Sequence, residues 1–210
     1  FGRVLASHLQ MFHKRASGQL SDSVISETMR HELLWIRDFM TEDIPRKLLS
    51  GMADYKLCIF TDASLEGSDS HAGVGMVALC VCGGQIQQKF FFSDVVPAWI
   101  LSLLQCRTPK IISTLELLSA VMAIHLLEDK FQNIRVMLFV DNEAARASLI
   151  SLKSSLEIHQ CLLRNVSLAV RRSGLYLWTA RVPSSSNPSD EPSRELVDKL
   201  LNAGFCRLSV

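Results

Sequence analysis

The stretch TLELLSAVMAIHLLEDK, residues 114–130, is apolar on almost every side of a helix. A helix without a polar face must be covered on more than one side, so it has to sit against a sheet and under further elements. The apolar runs around it supply that sheet. Upstream, LCIFTDAS (57–64), HAGVGMVALCVC (71–82) and QIQQKFFFSD (85–94) read as three strands of an antiparallel meander, with Gly83-Gly84 as a hairpin turn. Residues 97–104 read as a short helix and loop. Downstream come a strand, RVMLFVD (135–141), and two helices, NEAARASLISL (142–152) and LEIHQCLLRNVSLAVRR (156–172). A fifth strand, LYLWTARV (175–182), leads into a loop, SSSNPSDEPSR, and a closing helix, ELVDKLLNAG (195–204). The order βββαβααβα predicts an α/β fold. In it the apolar helix is a crossover that lays strand four beside strand one, parallel, with both tips at one end.

Residues 1–50 have a different character. They are helical in pattern and more polar, and Pro45 closes them, so they read as a helical connector ahead of a domain spanning 51–210. The chain has no initiator Met and no leader-like start, and it reads as a piece of a longer polypeptide. No apolar run is expected to span a bilayer, and no membrane partner is expected. Hydrophobic residues at 48% and charged residues at 20% fit a full core. The net charge of +1 gives no bulk signal for nucleic acid, which leaves any such interaction to a local site. The six cysteines contain no C-x-x-C pair and lie mostly in apolar runs, which predicts free thiols in a reducing compartment rather than disulfides or zinc ligands.

Four acids stand out by position. Asp62 closes the first strand and Asp141 the fourth. By strand alternation Asp62 shares a face with Cys58 and Phe60, and Asp141 with Met137 and Phe139. Glu116 lies in the first turn of the crossover helix, where Ser119, Ala120 and Ala123 on its own face permit close approach to the sheet. Asp190 follows the fifth strand, in NPSDEPSR. Taken singly, each has a plainer role as a cap, a turn residue or a charge at a helix N-terminus. Together, four carboxylates delivered to one place repel one another unless cations neutralise them. An all-oxygen set points to Mg²⁺, with Mn²⁺ as substitute. Two such ions, roughly 3.5–4 Å apart, serve phosphodiester hydrolysis.

FTDAS, TLELLSA, FVDNEAA and NPSDEPSR, in that order and on those elements, resemble the four acidic motifs of the ribonuclease H family. The likeness covers about residues 55–204 and is nearest to the domains attached to reverse transcriptases. VPSSSNPSDEPSR looks like the last motif of hepadnaviral and tyrosine-recombinase or related retroelement polymerases. The resemblance implies a ribonuclease H-like five-stranded mixed sheet of order 3-2-1-4-5 with helices on both faces. It implies endonucleolytic hydrolysis of the RNA strand of an RNA–DNA hybrid, inside the cell, in cytoplasm or nucleus. Asp62, Glu116, Asp141 and Asp190 would then be catalytic metal ligands for two Mg²⁺. Ser64 and Asn142, inside the first and third motifs, and Asn187, which matches a family Asn just before the last acid, would contact substrate. Residues 1–50 would be the end of a polymerase thumb or connection, making the reverse transcriptase region a partner in the same polypeptide.

Two departures from the family pattern are visible. The loop TARVPSSSNPSD lacks the His that many members carry before the last acid. The region between Asn142 and Leu175 holds Lys153, Arg164, Arg171 and Arg172 but no basic, Trp-containing protrusion, so grip on the hybrid is expected to come from the polymerase region. Other residues read as structural. His71, His125 and His159 are not at ligand spacing, no serine has a base companion, and Phe90, Phe91 and Phe92 read as core and sheet surface. A catalytically silent tether on the same fold, or a DNA nuclease such as an integrase, are the alternatives.

Overall fold

The computed structural model describes residues 56–67, 71–108 and 110–209, with six helical positions between Arg30 and Thr41. The connector expected over 1–50 otherwise lies outside the described residues. The chain divides into two compact units, Phe1–Arg46 and Lys47–Val210, and everything below concerns the second.

Its elements run β1 (Lys56–Glu66), β2 (His71–Cys82), β3 (Gln85–Val95), α1 (Ala98–Arg107), α2 (Ile111–Glu128), β4 (Arg135–Val140), α3 (Glu143–Ser151), α4 (Glu157–Ser173) and β5 (Tyr176–Arg181). A 3₁₀ turn (Ser184–Ser186) leads to α5 (Asp190–Ser193), α6 (Asp198–Asn202) and β6 (Cys206–Arg207). The sheet order is β5-β4-β1-β2-β3-β6. Strands β1, β2 and β3 form the antiparallel meander, while β4 lies parallel to β1 and β5 parallel to β4. Gly83 and Gly84 both take positive φ, 57° and 79°, as a two-residue hairpin turn demands.

The expected order 3-2-1-4-5 is present, with one correction. A sixth strand, β6, is added outside β3. Its two residues carry too little pattern to read, and pairing alone defines it: Leu208 N–H donates to the Phe91 carbonyl at 2.8 Å. The closing helix also differs. ELVDKLLNAG does not form one helix, because Glu195 adopts φ 61° and ends α5. Leu196 N–H returns to the Glu191 carbonyl and Glu195 N–H to that of Pro192, a left-handed helix stop, and α6 starts afresh at Asp198.

The main core lies between the sheet and α2, α3 and α4, around Leu57, Ile59, Met76, Leu115, Ile124, Leu138 and Leu163. By length and composition α2 is apolar enough to cross a membrane, contrary to the expectation that no run is. Its apolarity is accounted for by burial: it packs on β1, β2 and α4, with Leu115, Leu117, Ala120, Ala123, Ile124 and Leu127 fully enclosed. On the opposite sheet face Val77 and Phe91 are buried at the β2–β3 half. All six cysteines are free.

Candidate active site

The register of β1 and β4 places the first two acids. Phe60 pairs with Phe139 across the parallel ladder, and their rings stack with centroids 4.6 Å apart. Two residues further along each chain, on that same face, come Asp62 and Asp141. Asp141 lies just past the end of β4, as expected. Asp62 does not end β1, which continues to Glu66 because pairing with β2 persists to Glu66 and His71 after pairing with β4 has stopped.

The third acid comes from α2. Ser119 Oγ donates to the Gly75 carbonyl of β2 at 3.0 Å, seating the helix directly on the sheet beside the strand residue that pairs with Asp62. The helix begins at Ile111, earlier than expected, so Glu116 stands in its second turn and not at its N-terminus. A favourable interaction with the helix dipole therefore does not explain a buried glutamate here. Its carboxyl instead accepts a hydrogen bond from the Ala63 backbone N–H and shares one with Asp141.

One carboxyl oxygen from each of Asp62, Glu116 and Asp141 lies within 4.8 Å of the other two. Asp62 and Glu116 are buried, at 5% and 4% exposure, and Asp141 is half-buried. Burial, then repulsion from Asp62 and Asp141, pushes the Glu116 carboxyl up to about 9. Burial foremost, and the charges of Asp141 and Asp190, raise Asp62 to about 6, against the lowering effect of a hydrogen bond from Ser193. Asp62 and Glu116 thus hold protons that isolated carboxyls would shed, chiefly because burial disfavours the charged form and secondly because the acids repel one another. Glu116 Oε2 is a buried acceptor with no hydrogen-bond partner. An all-oxygen set with such an unsatisfied acceptor fits a hard divalent cation, and Asp62, Glu116 and Asp141 can hold one.

Asp190 stands apart from this triad. It opens α5, is about half exposed, and its Oδ1 accepts from Arg194 at 3.3 Å. Its charge nevertheless reaches Asp62. The segment around it does more than carry Asp190. Asn187 Nδ2 donates to the Thr61 carbonyl at 3.1 Å and to Asp62 Oδ1 at 3.4 Å, while Ser193 Oγ donates to Asp62 Oδ2 at 2.6 Å. Both oxygens of Asp62 are therefore oriented by NPSDEPSR.

That segment reaches Asp62 because the sheet face beneath it is stripped of bulk. Gly73 and Gly75 leave room for the α5 backbone; a Cβ at Gly75 would lie 2.3 Å from the Ser193 nitrogen. Ser64 and Ser93, their register partners on β1 and β3 respectively, tie α5 down: Ser64 Oγ donates to the Ser193 carbonyl at 2.6 Å and Ser93 Oγ to that of Pro192 at 2.7 Å. Ser64 is thus engaged with the backbone. Asn142 is also engaged, accepting at its side-chain oxygen from Ala145 N–H at 3.1 Å as the N-cap of α3. Asn142, and not Asp141, caps that helix, leaving Asp141 to the cluster.

The sequence reading missed Gly73, Gly75, Ser93, Ser193 and Arg194. A signal existed for two of them: a β1–β2 meander places a small residue opposite Asp62, and Ser193 falls three residues after Asp190. His159, expected as an ordinary solvated or helix-packed histidine, is buried against Thr114, with Oγ1 and Nε2 2.7 Å apart, and burial lowers its pKa.

No family model and no curated protein matches the chain. Solved structures do. The N-terminal RNase H domain of a Mycobacterium tuberculosis protein, solved as a fusion with maltose-binding protein, is 11% identical, covering 71% of this chain and 98% of its own, with a TM-score of 0.50. RNase H1 from the halophilic archaeon Halobacterium salinarum is 17% identical over 69% of this chain and 98% of its own, at a TM-score of 0.48. LC11-RNase H1, solved in complex with an RNA/DNA hybrid, is 16% identical over 69% and 99%, at 0.49. With the strand order and helix placement above, the mycobacterial likeness makes this a ribonuclease H-like fold.

Proposed function

We propose that this chain is a metal-dependent endonuclease that hydrolyses the RNA strand of RNA–DNA hybrids, acting inside the cell as part of a reverse transcriptase polypeptide. The observation that carries the reading is the triad: carboxyl oxygens of Asp62, Glu116 and Asp141 within 4.8 Å of one another, delivered by β1, α2 and the end of β4 in a ribonuclease H-like fold. The four motif resemblances in matching order support the hybrid substrate and the polymerase setting. Asp62, Glu116 and Asp141 would hold Mg²⁺, or Mn²⁺ in its place, and Asp190 at the rim would complete a second site. Two bound cations would activate the attacking water and stabilise the leaving oxygen.

The chain's own residues prepare that chemistry. Asn187 and Ser193 fix both oxygens of Asp62, so this ligand is preorganised rather than recruited. Burial and the neighbouring acids push the Glu116 carboxyl up to about 9, and a bound cation would favour its ionised form. Burial of Asp62 and Glu116 lowers the local dielectric and so strengthens their hold on a cation.

The test is cleavage of a labelled RNA–DNA hybrid beside DNA and RNA duplexes, in Mg²⁺, in Mn²⁺ and in EDTA, with Asp141→Asn as control. Cutting of the RNA strand of the hybrid, abolished by EDTA and by the substitution, supports the reading. Cutting of duplex DNA instead reassigns the substrate. An inert, folded chain that stays inert with the polymerase region restored overturns catalysis and leaves a structural tether.

A further inference from the structure

The two faces of the sheet are finished differently. Leu57, Ile59, Val136 and Leu138 alternate into the core under α2, α3 and α4, and all four are buried. Cys58, Phe60, Met137 and Phe139, between them, point to the opposite face and are only half-buried. On that face α5 packs over β1, β2 and β3. Towards β4 and β5 the face opens out, and Trp178, the register partner of Met137, is 71% exposed. Phe60 and Phe139 stack there as nearly parallel rings, their planes 10° apart. Lys56 and Arg135, paired with each other across β1 and β4, are exposed at the far end of the same face. From that end to the acid cluster, β1, β4 and β5 place no carboxylate on it. The surface is therefore aromatic in the middle and cationic at one end. Asp62 bounds the other end, six extended residues or about 20 Å from Lys56.

We propose that this half of the face binds an unpaired strand of nucleic acid, with Trp178 stacking on a base and Arg135 and Lys56 holding phosphates. The inference rests on the nuclease reading for its choice of ligand, and adds to it a contact surface outside the acid cluster. Sequence-tolerant binding of a single strand needs exposed aromatic area, and cations beside it for the backbone. Both are present here. A duplex keeps its base planes stacked inside, so an exposed indole selects bases that are unpaired. The aromatic residues alone would serve a protein partner equally well. The two cations, with no acid on the face to balance them, favour a polyanion. The strands also set the direction: the two that carry the ring pair run on into Asp62 and Asp141, so a strand lying on the face leads to the acid cluster. It would hold the unpaired RNA or DNA that continues from a hybrid engaged at the acids. This gives the chain a grip of its own, although its sequence holds no basic, Trp-containing protrusion.

Fluorescence anisotropy of the full chain with fluorescein-labelled U and dT oligomers of about ten nucleotides, in EDTA so that nothing is cut, tests this. Binding that Trp178→Ala weakens about tenfold and Trp178→Phe retains supports the proposal. The tighter oligomer identifies the strand, RNA or DNA, that the face takes. Arg135→Gln and Lys56→Gln should each weaken binding roughly threefold and reduce the slope of log affinity against log salt by about 0.7. Trp99→Ala removes an indole that is 70% exposed on α1, and Lys89→Gln removes a cation on β3 over the Phe205 ring; neither should change the affinity. Affinity indifferent to Trp178→Ala, or reduced as much by Trp99→Ala, overturns the proposal. So does a blunt hybrid duplex that depends on Trp178 as strongly as the single strands do. Self-association in sedimentation that Trp178→Ala abolishes, with no oligomer bound, gives the face to a second copy of the chain instead. Hybrid cleavage in Mg²⁺ without single-strand binding overturns this proposal and keeps the nuclease. Single-strand binding through Trp178 without hybrid cleavage keeps the binding face and overturns the nuclease.

Discussion

The triad and the rim acid are built by different means. Asp62, Glu116 and Asp141 come from elements locked by the core, and their positions follow from strand register and from a helix seated on Gly75. Asp190 comes from a four-residue helix held to the sheet by serine hydroxyls, half in solvent and paired with an arginine. The first arrangement is enclosed and crowds three carboxyls together, while the second is half exposed and already paired with a cationic side chain.

The largest effect should come from attacking the enclosed half. Asp141→Asn should reduce hybrid cleavage on the order of a thousandfold, several kcal/mol of lost charge stabilisation, with far-UV dichroism unchanged. If the loss is no greater than for Asp190→Asn, the distinction between triad and rim fails.

The buried charge of the triad gives the second test. The folded-state values, about 9 for Glu116 and about 6 for Asp62, exceed the ordinary 4.5 and 3.8. A raised carboxyl contributes stability below its unfolded value and loses it as pH climbs through the folded one. In EDTA, Tm should therefore fall from about pH 4.5 to about pH 9, most of it owing to Glu116. Stabilisation by Mg²⁺ should grow over the same interval, and Glu116→Gln should flatten both trends. A Tm in EDTA independent of pH would mean that the triad is not under charge strain.

The joint between the two halves is the third target. Gly75→Ala places a methyl 2.3 Å from the Ser193 nitrogen and 2.8 Å from the Pro192 carbonyl carbon, backbone that cannot rotate away. It should destabilise the fold by about 1–3 kcal/mol in denaturant titration, as overpacking does. It should also lower activity by freeing Asp62 from Ser193. The smallest effect is expected at the rim, where Asp190→Asn should slow cleavage roughly tenfold and raise the Mg²⁺ concentration for half-activity. A loss as deep as that of Asp141→Asn would place Asp190 among the fixed ligands.

Much of the frame was legible because periodicity is local. The alternation that places Asp62 with Phe60 and Asp141 with Phe139 depends on a two-residue repeat, and the crossover rule makes strands one and four neighbours. The nearly featureless apolarity of 114–130 correctly demanded cover on several sides. The helix stop at Glu195 was not legible, since nothing in ELVDKLLNAG announces a left-handed residue there. Nor was β6, whose two residues are a strand only because β3 offers an edge.

Sequence by itself thus determined the five main strands and the long helices between them, which residues face which way along each strand, and that Asp141 follows the end of the fourth strand. Tertiary structure decided how the four acids differ. It engaged Ser64 with a backbone carbonyl 129 residues away and gave Asp62 two hydrogen-bond donors from 125 and 131 residues away in the chain. Such contacts join residues far apart in sequence through the close approach of α5 to Gly73 and Gly75. A close approach is a property of two surfaces together, and neither stretch of sequence carries it alone.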